Sequence, residues 1–328
     1  MAQITRFSVL LLAAAGLLVS CAQAAPLRTA SEYVWLQQLE QQAVDDGVAV
    51  ETVHAALDSF TPNSRVVELD QKQPESTISF ATYRHNTVTP ARVKKGAELM
   101  RRYAAELDAI EERTGVPPQI VVALWGIESS YGHNMGDFET VNALATLAYQ
   151  GRRADFFRSE LIAALHILDQ EQKSPSELRG SWAGAMGQCQ FMPSTYLKHA
   201  VDGDGDGHRD IWGDPIDVMA SIANYLAAEG WKQELTWGRE VEGDVAASDI
   251  GLTQTHSLPE WTARGVTSLD GSALPQRDLQ ASFVQPDEVR GEGFLVYDNV
   301  RALMRWNRST YFALSVGLLA DEIKRNAL

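Results

Sequence analysis

Apolar residues recur at steps of three and four through much of the first third of the chain. Between residues 31 and 113, Val34, Leu36, Leu39 and Val44, and later Leu99, Tyr103, Leu107 and Ile110, keep mainly to that spacing. Residues so spaced share one face of a helix, and the stretch reads as an α-helical region. The same period returns over 117–129, 152–171 and 215–229, and residues 310–325 read as a closing helix before the charged end. Between Thr236 and Tyr297 the character changes. Gly, Ser, Thr, Asp and Pro become frequent, and short β-rich runs appear at 280–284 and 293–297. The pattern predicts a mainly α protein of the α+β class with a small β subdomain inserted late in the chain.

One apolar run has no helical stripe. Residues 7–18 follow Arg6 and precede small residues, which is the layout of a secretory signal. At about twelve residues the run is too short to span a bilayer comfortably. Two cleavage readings stay open: Leu18-Val19-Ser20-Cys21 has the form of a bacterial lipobox, which would acylate Cys21, and Ala22-Gln23-Ala24 before Ala25 has the form of an ordinary signal-peptidase site. Either way residues 1–24 are expected to direct export. Cys21 is lipidated or removed, so Cys189 is left without an intramolecular partner and no internal disulfide is expected.

Composition narrows the partners. With 45% hydrophobic and 22% charged residues, the chain of 328 residues is neither broadly disordered nor a many-helix membrane protein. Asp and Glu number 43 against 28 Lys and Arg, a net charge of −15, and no basic cluster is dense enough for a phosphate backbone. Nucleic acid is not an expected partner.

The most informative single residue is Glu128. Thr114-Gly115-Val116-Pro117-Pro118 reads as a helix start with Thr114 as cap, and Gly132 as the stop. Val121, Leu124 and Trp125 precede Glu128 by seven, four and three residues, so the carboxylate projects from the apolar stripe. Desolvation there favours the neutral acid and raises its pKa toward neutrality, which suits a general acid for glycosidic bonds. Pairing with an arginine, or reaching past the helix end to solvent, is the competing outcome.

Glu128-Ser129-Ser130-Tyr131-Gly132 is followed by Gly184-Ala185-Met186-Gly187-Gln188-Cys189-Gln190-Phe191-Met192-Pro193-Ser194. Together the two segments resemble the membrane-bound lytic transglycosylase B family of murein transglycosylases. The resemblance covers roughly residues 84–237 and the Trp306-Asn307-Arg308-Ser309 segment. It implies a lysozyme-like helical core, an N-terminal α domain and a small β domain. The expected divisions are 25–113, 114–235, 236–297 and a closing 298–328 that completes the core. It also implies peptidoglycan as substrate, in the periplasm of a Gram-negative bacterium, with the outer membrane reached through the lipid on Cys21.

In that family Glu128 is the single catalytic acid/base. The substrate's 2-acetamido group assists departure of the leaving group, and the C6 hydroxyl then closes a 1,6-anhydro muramoyl end without water. Ser181 and Gln190 match family positions that line the glycan groove. Their chemistry agrees, because a Gly/Ala-rich turn admits a polysaccharide close to backbone amides and Gln190 offers both a donor and an acceptor, although both residues equally suit turn-closing roles. Tyr225, Trp306 and Asn307 complete the expected substrate contacts, with core packing as the alternative for the two aromatics. A true hydrolase would need a second carboxylate, and Asp137 and Glu139 are the candidates. Cys189 lacks a paired histidine and reads as an inert packed thiol.

The acidic run Asp202-Gly203-Asp204-Gly205-Asp206-Gly207-His208-Arg209-Asp210 places carboxylates at loop positions 1, 3, 5 and 9 and glycine at 6. That is the opening of an EF-hand, with the His208 carbonyl at position 7. Gly213 stands where the bidentate glutamate belongs; in the family an elongated loop is closed by an aspartate matching Asp217. A structural Ca2+ held by Asp202, Asp204, Asp206, His208, Asp210 and Asp217 is expected, in a loop over 202–217.

Overall fold

The computed structural model describes residues 28–72, 78–287 and 291–328. The signal segment, the lipobox and Cys21 lie outside them. Among the described residues, the first helices are α1 (Ala30–Asp45), α2 (Val50–Leu57), α3 (Ser64–Gln71), α4 (Phe80–Thr87), α5 (Pro90–Arg102) and α6 (Ala104–Thr114). Side chains placed where the backbone N–H groups are unpaired start most of them: Thr29 with Glu32 in a reciprocal capping box, then Asn63, Ser79 and Thr89. Next come α7 (Pro118–Ser129), α8 (Thr140–Gln150), α9 (Ala154–Gln170), α10 (Pro193–His199) and α11 (Pro215–Ala228), with a two-strand ribbon of β1 (Phe138–Glu139) and β2 (Arg179–Gly180).

The β region carries β3 (Gly238–Gly243), β4 (His256–Ser257), α12 (Leu258–Ala263), β5 (Thr267–Ser268), β6 (Gln280–Val284) and β7 (Gly291–Val296). These strands form an antiparallel sheet in the order β4-β6-β7-β3-β5. Two helices close the chain, α13 (Asn299–Trp306) and α14 (Thr310–Ala327).

Burial explains the architecture. One continuous apolar core runs from Leu36 on α1 to Ile323 on α14, so the N-terminal helices share it with α7–α11. Val241, Leu258, Trp261, Val266, Phe283 and Leu295 belong to a second, smaller core under the sheet. At the centre, α7 is buried nearly all round and packs against α14, α5 and α11. A helix enclosed in this way is a rigid mount for whatever its last turn carries.

The start of α7 differs from the sequence expectation. Thr114 is the last residue of α6; its hydroxyl donates to the Ile110 carbonyl and accepts from the Val116 N–H, while Pro117 precedes α7 without a side-chain cap. Gly115, at φ +70°, makes the left-handed turn that ends α6.

Candidate active site

Helix α7 stops abruptly one residue beyond Glu128. Ser130 and Tyr131 both take left-handed backbone angles, φ 51° and 60°, and Gly132 follows at 85°. Left-handed angles cost a non-glycine residue roughly 1–2 kcal/mol, so two in succession need outside support. The Tyr131 hydroxyl donates to the Arg92 carbonyl at 2.8 Å, and its ring meets Trp125 edge to face at 5.6 Å. The ring also lies against Gly126, where a Cβ would come within 2.7 Å of it, so only glycine admits this approach. The Ser129 hydroxyl accepts from the Gly132 N–H at 3.0 Å. The turn is thereby fixed, and with it the point from which Glu128 projects.

The Glu128 side chain is enclosed but keeps partial solvent contact. Burial pushes its pKa up to about 7, while a hydrogen bond from the Trp306 indole Nε1 to Oε1, at 2.6 Å, pulls in the opposite direction. No second carboxylate contributes to this shift among the described residues. Desolvation followed by a single donor yields an acid that is protonated near neutrality yet stabilised once ionised. Tyr83, on α4, also lies close enough for the Glu128 charge to add to the burial that raises its own pKa.

Trp306 ends α13 and is held by rings. Its centroid is 5.1 Å from Phe191 and 4.7 Å from Tyr225, and Tyr225 in turn lies 4.7 Å from the His199 ring. Trp306 and Tyr225 are therefore partly buried members of an aromatic cluster beneath the carboxylate. Asn307 is exposed beside them, and its side-chain oxygen accepts from the Ser309 N–H at 3.1 Å.

The glycine-rich segment forms a second wall. The Ser181 hydroxyl accepts from the Ala185 N–H at 3.1 Å, closing the turn. Gln190 is left-handed at φ 52°, and its amide nitrogen donates to the carbonyls of Met135 and Gly187 at 3.0 and 2.8 Å. Its side-chain oxygen is what remains to accept from another molecule. Gln188 is a further member of this wall that the sequence patterns do not single out. It is only 7% exposed, accepts from the Trp125 indole at 2.8 Å and donates to the Trp212 carbonyl at 2.8 Å. A buried indole N–H requires an acceptor, and that requirement is the one signal pointing to a glutamine here. Cys189 is fully buried and burial raises its thiol well above the ordinary range, so it is no nucleophile. Asp137 is exposed and Glu139 lies in β1, just before α8.

The acidic loop packs against this wall. Side-chain oxygens of Asp202, Asp204 and Asp217 all lie within 4.8 Å of one another. Asp217, 1% exposed, accepts from the N–H groups of Gly203 and Asp210 at 2.7 and 2.6 Å, and burial raises its pKa. Three converging carboxylates repel unless a cation joins them, so the donor set fits a hard divalent ion. Asp202, Asp204, Asp206 and Asp210 each also accept from a backbone N–H within the loop, and His208 is exposed. The loop is tied to α9 by the Arg209–Glu171 ion pair at 2.6 Å. It reaches the active site through Gln188, whose N–H donates to the Ile211 carbonyl at 2.8 Å.

Comparisons with known proteins agree with this geometry. Residues 31–321 match the family described as Transglycosylase SLT domain. The chain is 33% identical over 296 residues to membrane-bound lytic murein transglycosylase B of Escherichia coli (strain K12), covering 88% of this chain and 78% of that protein. It is similar in structure to SltB3 from Pseudomonas aeruginosa in complex with NAG-anhNAM-pentapeptide, with a TM-score of 0.86 and 43% identity over 90% of this chain and 80% of that one. It is also similar to the Escherichia coli lytic transglycosylase Slt35 in complex with calcium, with a TM-score of 0.77 and 32% identity over 89% and 93% of the two chains.

Proposed function

The chain belongs to the transglycosylase SLT domain family, and from that premise we propose that it is a lytic murein transglycosylase in which Glu128 alone performs the proton chemistry. It cleaves the β-1,4 bond between N-acetylmuramic acid and N-acetylglucosamine in peptidoglycan and leaves 1,6-anhydro muramoyl ends. One observation carries the reading: a single enclosed carboxylate with its pKa near 7, whose shift owes nothing to a second carboxylate.

Protonated Glu128 gives its proton to the glycosidic oxygen as that bond breaks, and the 2-acetamido oxygen of the muramoyl residue bonds to the anomeric carbon in its place. The Glu128 carboxylate, now steadied by the Trp306 N–H, takes the proton of the C6 hydroxyl, which bonds to the anomeric carbon as the acetamido oxygen leaves. Glu128 returns to its protonated form and no water is consumed. Gln190 and Ser181 hold sugar hydroxyls along the groove, and Tyr225 and Asn307 complete it beside Trp306. A Ca2+ held by Asp202, Asp204 and Asp217 supplies rigidity rather than chemistry. Acylation of Cys21 anchors the enzyme to the outer membrane on its periplasmic side. Muropeptides released from purified murein test the reaction by mass spectrometry, with anhydromuramoyl ends expected.

Trp306 gives a pH signature. Because its N–H favours ionised Glu128, Trp306→Phe should move the alkaline limb of the activity profile upward, by about one unit for a hydrogen bond to a charge. It should also lower the maximal rate. A profile that keeps its limb while only the substrate affinity falls would leave Trp306 a sugar platform and nothing more.

A further inference from the structure

We propose that the exposed turn opening α9, with Arg152, Arg153 and Phe156, is a docking surface for an anionic phospholipid bilayer; the proposal extends the anchoring reading and rests on it. Its first support is where the described chain begins. The Arg28 guanidinium donates to the carbonyls of Leu57, Asp58 and Phe60, the Ser31 hydroxyl lies 3.4 Å from that of Tyr149, and the Trp35 ring packs on Tyr149 at 5.1 Å. Tyr149 sits three residues before Arg152, so residues 28–31 are pinned beside the α8–α9 turn. Cys21 precedes Arg28 by seven residues, a length that spans at most about 25 Å when fully extended. An acyl chain on Cys21 therefore holds this side of the molecule against the bilayer.

Chemistry is the second support. In a chain of net charge −15 this face is locally positive: Arg65, Lys72, Arg152 and Arg153 stand against Glu68, Asp70 and Asp155. The Arg152 side chain is 65% exposed, with Asp70 its nearest carboxylate at 3.7 Å. Arg153 makes no ion pair among the described residues; its guanidinium lies over the rings of Phe156 and Phe157 at 5.2 and 5.0 Å. Phe156 is 43% exposed. On the adjoining α3, Arg65 and Lys72 share a single carboxylate, Glu68, at 2.7 and 2.5 Å. An exposed ring with the Arg153 guanidinium over it suits the headgroup layer, where the ring enters the apolar boundary and the cation meets phosphate. The remaining acidic surface is repelled, so the patch also fixes orientation.

The test removes the lipid so that the surface acts alone. The mature chain carrying Cys21→Ala is floated with vesicles of phosphatidylethanolamine and phosphatidylglycerol, and separately with phosphatidylcholine vesicles. Binding to the anionic vesicles is expected, with loss at high salt. Each basic group is worth roughly a fivefold gain in partition, so Arg152→Glu, Arg153→Glu and Phe156→Ser together should weaken binding by at least about 25-fold while murein cleavage is retained. Equal binding to both vesicle types, no binding, or an unaffected triple variant would overturn the proposal. So would a loss of binding to murein sacculi in place of vesicles. The N-terminus of the native protein separates the two readings: a start at Ala25 with patch-dependent vesicle binding removes the anchor and keeps the surface, whereas an acylated Cys21 with an indifferent patch does the reverse.

Discussion

Glu128→Gln is expected to reduce turnover by on the order of 10³–10⁴-fold, the upper part of what one acid/base group contributes, because here the same group gives the first proton and takes the second. Glutamine keeps the size and the acceptor for the Trp306 N–H, so the fold and glycan binding should persist. The variant should also be more stable than the parent in alkaline solution. Glu128 is raised from 4.5 to about 7 in the folded state, so its contribution to stability is full below pH 4.5, falls as the pH rises through 7, and stays low above that. The difference is roughly 3 kcal/mol at one pKa unit per 1.36 kcal/mol. Thermal melts of both proteins at pH 5 and pH 8 check this, with the gap small at pH 5 and close to its full size at pH 8. Near-normal turnover in the glutamine variant would mean that the reacting carboxylate lies elsewhere.

The second large effect belongs to the acidic loop. Calcium that binds only the folded protein should stabilise it by about 4 kcal/mol at a thousand times the dissociation constant, which corresponds to a rise in melting temperature of about 6 °C. Asp204→Ala should abolish that rise, since Asp204 is exposed and its carboxylate is one of the three that converge. Asp206→Ala should cost less, because Asp206 is not one of those three. Activity should follow stability, transmitted from Ile211 and Trp212 through Gln188 to Trp125 on α7. A chelator that stops turnover without shifting the melting temperature would contradict a structural ion.

What was legible in the sequence, and what was not, follows from the range of each interaction. The carboxylate on the α7 stripe, the helices at 215–229 and 310–325 and the strand at 280–284 are local patterns, and they appear within one to two residues of their expected bounds. Helix α8 left no stripe because it is buried on nearly every side. Short helices such as α10 and α13 offer too few turns for a period to show.

Within the site, the Glu128–Trp306 bond joins residues 178 apart, and nothing local announces it. Trp306, expected as a sugar platform or a core residue, packs against Phe191 and Tyr225 and also donates to Glu128. EF-hand spacing assigns six ligands in the metal loop by position. Of these, Asp202, Asp204 and Asp217 bring carboxylate oxygens within 4.8 Å of one another.

The central claim, that an internal hydroxyl and not water completes the reaction, is tested by digesting purified murein in oxygen-labelled water and analysing the earliest muropeptides. Anhydromuramoyl ends with no solvent oxygen at the anomeric carbon are expected. Labelled reducing ends dominating from the first time points would contradict it and require a second carboxylate, with Asp137 and Glu139 the first to be examined.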